Sequence, residues 1–544
     1  MVLKSVLSPV PVSRRLIHEF IHEASLAYGD RIALSHSESG AQVIYQQVFE
    51  QSQSVATYLY EHGFGKGDIA CSILHNCLEL LPIFLGVAEL GGVLSPISYV
   101  HEHFELVHQL KQSKPKLVFC QQTNFEKVQR AVQELHELPS IVVVANTDSE
   151  TSPEGSVPFS DILACPADPS RPKVHVDFYQ DPVVVLYSSG TTGLPKGVML
   201  THSNFVHQAP SMDAFFKTRM LHNAGDPIQA SNKTELLFLP TYHISGFGTL
   251  IQNVLRGFTT VVMPHYDLEK LCFNIRKYQY RLLIISLSIL VDLATSPVVD
   301  RYDLSSLRVV LTGGSPVREQ LCETLRTRFP KIEFIGQAYA MTETTSICQV
   351  SVFKEGETIS SCVELLPHVE MKILDPKGVE LGVDKPGEIY LKSPAVMLGY
   401  HNHPEVTAEA VDPEGWFRTG DIGYVNNDGG LYIVNRIKEM IKVGGRSIAP
   451  AEIENFLLTH RDILDVAVVG VPDKTESEIP MAFVVRRSEE LKEDDVHNFM
   501  KGGMAVYKRL SGGVRFVDSI PKNSMGKILR NELKELLKAD RILG

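Results

Sequence analysis

The sequence lacks the cysteine patterns of disulfide frameworks and of zinc sites. Its 8 cysteines are scattered, none forms a CxxC pair, and none lies beyond Cys362. Disulfide-rich secreted folds and zinc modules place their cysteines in regular, closely spaced sets. We therefore expect an intracellular, reducing compartment in which most thiols act as small core residues. The cytoplasm is the first assignment and an organelle is the alternative.

No run of apolar residues is long enough to cross a membrane. A membrane helix needs about 18 or more consecutive apolar residues. The closest candidate, 81–97, is interrupted by Glu89 and by glycines, and the apolar segment 282–294 is short and contains Asp292. Both segments are interpreted as buried elements, so no integral membrane span is expected.

The chain also has no stripe of basic residues. It carries 52 Lys and Arg against 64 Asp and Glu, for a formal net charge of −12. Proteins that bind nucleic acid usually present a clustered basic surface. No nucleic-acid partner is expected, and an anionic substrate must be met by locally placed cations. The sequence leaves the oligomeric state open.

What the sequence does contain is a long alternation of strand-like and helical patterns. With 544 residues it exceeds one compact core, so two or more domains are expected. Helical patterns occur at 124–135 and 317–328, between apolar runs at 116–120, 141–145, 182–187, 259–263, 282–285 and 307–311. This alternation predicts an α/β fold built on parallel sheets.

The pattern changes after Pro386. Segments 387–392 and 429–434 are predicted strands, and the final piece of roughly a hundred residues is small enough to be a domain of its own. That piece is predicted to contain helices at 449–460, 494–501 and 527–538 and strands at 466–471 and 481–485. We place the domain boundary at 436–438, which divides the chain into domains 1–436 and 437–544.

The segment 187–197, YSSGTTGLPKG, carries the most specific chemical signal. Its small residues let the backbone fold tightly around an anion, with N–H groups and hydroxyls as donors. Lys196 adds a positive charge for phosphate. Because Pro195 precedes the lysine and Gly197 follows it, the spacing differs from the GxxxxGK[ST] of P-loop kinases and GTPases. The alternative is a surface loop rich in glycine, serine and threonine.

This loop resembles the phosphate loop of the adenylate-forming superfamily, which includes acyl-CoA synthetases, 4-coumarate–CoA ligases, beetle luciferases and peptide-synthetase adenylation domains. Further family-like segments follow in order between Tyr45 and Lys534. The resemblance implies a large N-terminal adenylation domain of packed mixed and parallel sheets with flanking helices and a β-rich subdomain, then a small, mobile α+β C-terminal domain. It implies ATP, Mg²⁺ and CoA as ligands. The phosphates would be held by Ser188, Ser189, Gly190, Thr191, Thr192, Gly193 and Lys196.

The segment 337–343, QAYAMTE, resembles the adenine and metal motif of that family. By resemblance, Tyr339 stacks on adenine, Thr342 contacts phosphate and Glu343 helps to hold Mg²⁺, which prefers hard oxygen ligands. The remaining nucleotide-binding candidates of this segment are Gln337, Ala338, Ala340 and Met341. Without the resemblance, a strand end with a buried tyrosine is the simpler interpretation.

Two later segments resemble the ribose and hinge motifs. In 416–421, WFRTGD, Asp421 is the expected acceptor for the ribose hydroxyls, although an aspartate in a turn is common. In 435–446, NRIKEMIKVGGR, Arg436 resembles the arginine that contacts ribose or phosphate, and Lys438 resembles the hinge residue. The same resemblance adds Lys442, Gly444 and Gly445, with the glycine pair near the CoA arm. A charged turn is the alternative.

The segment 521–530, PKNSMGKILR, resembles the motif that carries the family's mobile lysine. In the family this lysine touches the carboxylate and the α-phosphate, which gives the role to Lys527. Adenylyl transfer between anions needs a cation that offsets developing charge. A lone lysine before a helix is otherwise a solvated side chain.

One further segment concerns the acyl side of the site. The segment 239–247, LPTYHISGF, resembles the family segment whose histidine flanks the acyl group. His243 is therefore a gate candidate, with a satisfied core histidine as the alternative. The other pocket candidates are Ser245, Phe247, Gly313, Gly314 and Ser315. Small residues at 313–315 would leave room for a long or bulky acid.

The resemblance implies an acid–CoA ligase that first makes an acyl-AMP and then a thioester. Its catalytic candidates are Lys527, Thr342, Glu343 and His243. No aspartate lies beside His243 to bind an amino group, so an amino-acid substrate is disfavoured, while fatty, aryl-propenoate and specialised acids stay open. The alternatives are a luciferase-like monooxygenase that acts on an adenylated carboxylate and an inactive binding protein on the same fold.

Overall fold

A computed structural model gives the structure of the chain. It describes residues 2–144, 152–188, 195–220, 233–313, 317, 319–353, 364–427, 429–443, 446–473, 477–504, 506–523 and 526–543. None of the helices within these ranges is long and apolar enough to cross a membrane.

The strands, in chain order, are β1 (Val2–Lys4), β2 (Ile32–His36), β3 (Gln42–Ile44), β4 (Ile69–Ile73), β5 (Val93–Pro96), β6 (Leu117–Gln121), β7 (Ser140–Val144), β8 (Val157–Pro158), β9 (Pro182–Ser188), β10 (Lys196–Thr201), β11 (Thr234–Leu237), β12 (Thr259–Val262), β13 (Leu282–Ser286), β14 (Val309–Gly313), β15 (Phe334–Met341), β16 (Ser346–Phe353), β17 (Glu364–Leu365), β18 (Glu370–Leu374), β19 (Gly387–Lys392), β20 (Gly399–Tyr400), β21 (Phe417–Val425), β22 (Leu431–Arg436), β23 (Ile441–Val443), β24 (Arg446–Ile448), β25 (Ile463–Asp473), β26 (Ser477–Arg486) and β27 (Val514–Phe516).

The helices are α1 (Ile17–Tyr28), α2 (Tyr45–Glu61), α3 (Leu80–Glu89), α4 (His103–Ser113), α5 (Phe125–Val132), α6 (Phe159–Ala164), α7 (His202–Phe215), α8 (Ile244–Leu255), α9 (Leu268–Tyr278), α10 (Leu287–Thr295), α11 (Glu319–Arg328), α12 (Pro404–Ala410), α13 (Pro450–Leu457), α14 (Glu493–Gly503) and α15 (Arg530–Leu543).

Two sheets with parallel strands enclose the largest core. Sheet I has the order β11-β12-β2-β3, and sheet II has the order β20-β10-β9-β5-β4-β6-β7-β8. Helix α3 is buried from Leu80 to Ala88, as expected for a helix that is apolar on every face. At Gly86 a Cβ would lie 2.6 Å from Val55 Cγ1, so only glycine allows α2 and α3 to approach this closely.

Two further sheets complete the larger part of the chain. Sheet III runs β13-β14-β15-β16-β17 and is parallel up to β15, whereas sheet IV, β1-β18-β19-β21-β22, is antiparallel throughout. Sheet IV is the expected β-rich subdomain. Alternating buried and half-buried residues in β18 and β19 show that one face packs on the core.

The C-terminal part has a sheet and cores of its own. Strands β24-β23-β26-β25, with β27 beside β26, form sheet V. The two hydrophobic clusters on this sheet draw their buried members only from residues between Ile441 and Leu533. The α/β class, with a large N-terminal part and a smaller C-terminal unit, is confirmed. The exact boundary at 436 and the mobility of the smaller unit stay predictions.

The helix predicted to start at Lys527 begins three residues later, so that prediction was wrong at its start. Gly526 has a φ of +79°, and Asn523 Oδ1 accepts a hydrogen bond from Lys527 N at 2.9 Å. Lys522 and Ile528 pair across the resulting turn. Lys527 therefore lies in a tight turn ahead of α15, because a left-handed glycine ends any continuous helix.

Candidate active site

The two strands that flank the phosphate segment, β9 and β10, form an antiparallel pair, called here the phosphate hairpin. Ser188 ends β9 and Lys196 begins β10, and the two residues are antiparallel partners. A P-loop would instead lead from a strand into a helix, so the structure supports the distinction drawn from the spacing. Ser189, Gly190, Thr191, Thr192 and Gly193 lie outside the described residues.

Glu343 lies where sheets II and III meet. It follows β15 in the short turn Thr342–Thr344, and its backbone oxygen accepts from Met397 N at 2.8 Å. Ser188 Oγ donates to Glu343 Oε1 at 2.9 Å, and the Tyr400 hydroxyl donates to the same oxygen at 3.1 Å. The carboxylate is thus held by the phosphate hairpin on one side and by β20 on the other.

Tyr400 was missed by the sequence analysis. Its ring centroid lies 5.7 Å from Lys196 Nζ, within the range of a cation–π contact. Burial and the neighbouring Glu343 carboxylate raise the pKa of the Tyr400 phenol, so the hydroxyl stays protonated and donates. No local signal marks this tyrosine in the sequence, because its role depends on the pairing of β20 with β10.

A second group of side chains, Tyr339, Asp421 and Arg436, lies on sheets III and IV. The Tyr339 hydroxyl donates to Asp421 Oδ2 at 2.6 Å, and Arg436 Nε lies 3.1 Å from Asp421 Oδ1. Asp421 is 3% exposed and is the cross-strand partner of Arg436. Burial raises the pKa of Asp421, and the charge of Arg436 and the Tyr339 hydroxyl oppose that shift. A buried, oriented carboxylate of this kind can accept two vicinal hydroxyls.

Lys527 brings the C-terminal unit to this cluster. Burial and the positive charge of Arg436 lower the pKa of Lys527, while Glu439 and Asp421 partly oppose the shift. Its turn also touches the larger part of the chain, because a Cβ at Gly526 would lie 3.4 Å from Ser288 N. The distant lysine predicted from the sequence is therefore near enough to Asp421 and Arg436 for their charges to shift its pKa.

The hinge candidates lie beside this contact. Lys438 is in the short turn Ile437–Glu439 after β22, and Lys442 is in β23, where its N–H donates to Glu478 Oε2 at 2.9 Å. Arg530, at the start of α15, pairs with Glu439 at 3.4 Å, which ties the hinge turn to the helix that follows Lys527. Gly444 and Gly445 lie outside the described residues.

His243 has a structural role at the expected acyl site. It caps α8: Ser245 N donates to His243 Nδ1 at 3.3 Å, and the Ser245 hydroxyl lies 2.9 Å from the same nitrogen. Burial lowers the pKa of His243 to about 4, so the imidazole is neutral near pH 7. Asn76 fixes the preceding loop, because its Oδ1 accepts from Thr241 N at 3.0 Å.

The other acyl candidates are placed differently. Phe247 is fully buried, and its ring packs against Phe84 with centroids 5.1 Å apart. It is a core residue, so its assignment as a pocket residue is corrected: the helical turn after His243 points it inward. Gly313 ends β14, where a Cβ would meet Ala338 O at 3.1 Å. Gly314 and Ser315 lie outside the described residues.

The remaining nucleotide candidates lie along one strand end. Gln337, Ala338, Ala340 and Met341 are in β15, and Gln337 Oε1 accepts from Val317 N at 3.4 Å. Thr342 is 7% exposed and opens the turn that carries Glu343. The strand thus presents Tyr339 and the turn after it to the same end of the site.

The donor set around Glu343 fits a magnesium ion that is carried in with a nucleotide. Among the described residues, no group of three His, Cys, Asp or Glu side chains could enclose a metal ion, and no described Lys or Arg forms a salt bridge with Glu343. Mg²⁺ is commonly held by one or two carboxylates together with substrate phosphates and water. A single carboxylate beside a phosphate hairpin suits that mode.

These features bring the phosphate hairpin, a carboxylate and a buried carboxylate–arginine pair together where three sheets meet. Comparison with known proteins identifies the family of the chain. The family described as AMP-binding enzyme matches residues 21–401, and the family described as AMP-binding enzyme C-terminal domain matches residues 452–527. The chain belongs to the AMP-binding, adenylate-forming enzymes.

Individual relatives agree with this assignment. A 4-coumarate–CoA ligase of Oryza sativa subsp. japonica is 34% identical over 557 positions, covering 99% of this chain and 95% of that protein. A fatty acyl CoA synthetase of Mycobacterium tuberculosis has a TM-score of 0.74 at 27% identity, covering 96% and 99% of the two chains. ATP-bound MatB from Rhodopseudomonas palustris has the same fold, with a TM-score of 0.83 at 23% identity and coverage of 96% and 99%.

The enzyme is an AMP-forming acid–CoA ligase. It uses a carboxylic acid, ATP and CoA as substrates and Mg²⁺ as cofactor, in agreement with the function expected from the motifs. The luciferase-like and inactive alternatives are not favoured, since curated relatives that match over nearly the full length include 4-coumarate–CoA ligases of Oryza sativa subsp. japonica, Arabidopsis thaliana and Petunia hybrida.

Proposed function

We propose that this ligase activates an aryl-propenoate and binds its nucleotide with the cluster of Tyr339, Glu343, Asp421, Arg436 and Lys527. The observation that carries the proposal is the convergence of these side chains, which come from two sheets, the turn after β15 and a turn of the C-terminal unit. The distances of 2.6 Å from Tyr339 to Asp421 and 3.1 Å from Arg436 to Asp421 support a preorganised nucleoside site.

Each group then has one task in adenylate formation. Asp421 accepts the ribose hydroxyls, Tyr339 packs against adenine, and Lys196 meets the phosphates. Mg²⁺, held through Glu343, would neutralise phosphate charge. The acid's carboxylate attacks the α-phosphorus, the bond to pyrophosphate breaks, and Lys527 offsets the negative charge that develops. Positioning and charge stabilisation supply the rate enhancement.

The second half-reaction requires a different arrangement of the smaller unit. The CoA thiol attacks the acyl carbonyl, and AMP leaves as the thioester forms. We propose that domain 437–544 rotates about Lys438, which withdraws Lys527 and brings Lys442, Gly444 and Gly445 toward the site. The turn Ile437–Glu439 is a short helical turn between β22 and β23, and hinges commonly use a few residues at the ends of such elements.

The acid class is inferred from the relatives and from an aromatic rim near His243. Curated relatives at 33–35% identity include 4-coumarate–CoA ligases. The rim consists of His75, Tyr99 and Tyr242, with ring centroids 4.1 Å apart for the first pair and 5.8 Å for the second. Planar aromatic acids pack well against such side chains. His243, Ser245, Gly313, Gly314 and Ser315 are proposed to line the acid's path.

An acid panel tests this function. CoA-dependent AMP release is measured with aryl-propenoates, their saturated aryl-propanoate analogues and fatty acids of equal carbon number. The aryl-propenoate should have the highest kcat/KM, roughly tenfold or more above the fatty acid. A preference for fatty acids contradicts the acid class. Oxygen consumption with light in place of CoA dependence contradicts the ligase itself.

A reducing compartment, with the cytoplasm first, is proposed for the protein. In the described part of the chain, the cysteines are free thiols, and Cys71, Cys120, Cys272, Cys322 and Cys348 are buried. Such thiols persist where glutathione and thioredoxin keep them reduced. Fractionation of cells followed by immunodetection checks the assignment.

A further inference from the structure

Tyr400 is fixed by its backbone before its side chain reaches the site. It pairs with Val198 of β10, its N–H donates to Thr407 Oγ1 at 2.8 Å, and its carbonyl accepts from His403 N at 3.1 Å. A Cβ at Gly399, where φ is +155°, would lie 2.6 Å from Thr407 Cγ2. The strand, the turn and the required glycine leave the tyrosine little freedom to move.

The side chain of Tyr400 bridges two groups of the phosphate end. Its hydroxyl donates to Glu343 Oε1 at 3.1 Å, and its ring lies 5.7 Å from Lys196 Nζ. Ser188 Oγ donates to the same oxygen of Glu343 at 2.9 Å. Two neutral hydroxyls therefore share one oxygen, and no described side chain donates to the other oxygen, Oε2.

Because hydrogen bonds from the described side chains hold only one of the two Glu343 oxygens, the direction in which the carboxylate faces a cation is restricted. Mg²⁺ demands near-ideal octahedral geometry, so the direction in which its carboxylate ligand points affects affinity. Metal-ligating carboxylates are commonly held by hydrogen bonds to their second oxygen, and loss of such a partner costs roughly 10–100-fold in metal affinity. Oε1 is the oxygen already used in this way.

We propose that Tyr400 is a positioning residue that, with Ser188, holds Oε1 of Glu343 and keeps Oε2 for the divalent cation that accompanies ATP. The inference rests on the proposed metal role of Glu343. The ring of Tyr400 has a second effect, because it lies against Lys196 and so links the metal ligand to the lysine of the phosphate hairpin.

The test measures metal affinity in the absence of turnover. Mn²⁺ replaces Mg²⁺, and its binding to the full-length enzyme with ATP but without acid is followed by electron paramagnetic resonance. Tyr400→Phe removes only the hydroxyl, so Mn²⁺ should bind roughly tenfold more weakly. ATP binding without divalent metal, measured by calorimetry, should be unchanged because the ring stays beside Lys196.

A matched control separates this effect from the loss of any tyrosine hydroxyl. The Tyr302 hydroxyl donates to Glu269 Oε1 at 3.0 Å on the surface, so Tyr302→Phe deletes the same kind of bond away from the site. This variant should leave Mn²⁺ affinity at the wild-type value. Tyr400→Leu removes the ring as well, and it should weaken both Mn²⁺ binding and metal-free ATP binding.

Glu343→Gln tests the metal role of Glu343 separately from the positioning role of Tyr400. This change should weaken Mn²⁺ binding in an otherwise wild-type chain, and Tyr400→Phe should add nothing to it. If Glu343→Gln has no effect on Mn²⁺, the proposed metal role of Glu343 fails. If Glu343→Gln weakens Mn²⁺ binding but Tyr400→Phe and Tyr400→Leu do not, the positioning role of Tyr400 alone is overturned.

Discussion

His243 illustrates how one side chain can serve the fold and adjoin a functional site. It caps α8 through Nδ1, which accepts from Ser245 N at 3.3 Å, and it occupies the position that the motif assigns to the acyl site. The sequence left a gate histidine and a satisfied core histidine as alternatives. The cap supports a structural role, and a contact with substrate stays a prediction.

The titration of His243 makes that structural role measurable. Its pKa in the folded protein is lowered to about 4 by burial, against an ordinary 6.5. The unfolded chain therefore takes up the proton first as the pH falls. The stabilisation is complete above about pH 6.5 and is lost toward pH 4, by at most about 3 kcal/mol.

His243→Asn should reduce this dependence, because asparagine is a good N-cap and does not titrate. The fall in Tm between pH 7 and pH 5 should be smaller in His243→Asn than in the wild type. His243→Ala is the control: it should lower Tm at both pH values, since the cap is lost. An equal fall in Tm in the wild type and in His243→Asn would contradict the lowered pKa of His243 as a source of the pH dependence.

At the scale of elements, the turn before α15 sets the position of Lys527. Gly526 has a φ of +79° and lies against the start of α10, where a Cβ would be 3.4 Å from Ser288 N. The sequence predicted a helix that starts at Lys527, whereas α15 starts at Arg530. The asparagine and glycine that close the turn were the competing signal.

Gly526→Ala should therefore impair adenylate formation selectively. A left-handed alanine costs about 1–2 kcal/mol, and the added methyl group would lie in van der Waals contact with Ser288. Pyrophosphate release should fall about fivefold to tenfold, while thioester formation from supplied acyl-AMP should be largely kept, because that step does not use this contact.

Gly378→Ala is the matched control for this change. Gly378 has a φ of +81°, and a Cβ there would meet nothing within 4 Å. It carries the same backbone strain without the contact, so both half-reactions should keep their wild-type rates. Equal losses in the two half-reactions of Gly526→Ala would show a general fold defect and would refute the role assigned to the turn.

Sequence patterns predicted the elements better than their contacts. The apolar runs at 182–187 and 282–285 became β9 and β13 nearly as expected, because short apolar runs that contain β-branched residues are typical of buried strands. The ends of elements were less accurate. They depend on capping and turn geometry, such as the αL residue Gln279 after α9, that hydrophobic spacing does not encode.

At the scale of the whole molecule, the arrangement of the sheets brings together site residues that are far apart in the sequence. Glu343 lies 155 positions from Ser188 in the chain, yet the two side chains are hydrogen-bonded. By resemblance, the ordered motifs predicted that Ser188, Glu343 and Asp421 belong to the same site. They did not predict that Tyr400 closes the cluster, because that contact exists only once β20 has added to the edge of sheet II.

The central claim is that the two lysines, Lys196 and Lys527, serve one nucleotide site closed by both domains. The most direct test is Lys527→Ala, assayed separately for acid-dependent pyrophosphate exchange and for thioester formation from supplied acyl-AMP and CoA. Lys522→Ala is the control, because Lys522 pairs with Asp465 on the surface of the same segment. Exchange should fall by three orders of magnitude or more, about 4 kcal/mol, while thioester formation persists. Equal loss of both half-reactions, or full exchange activity, would contradict the account.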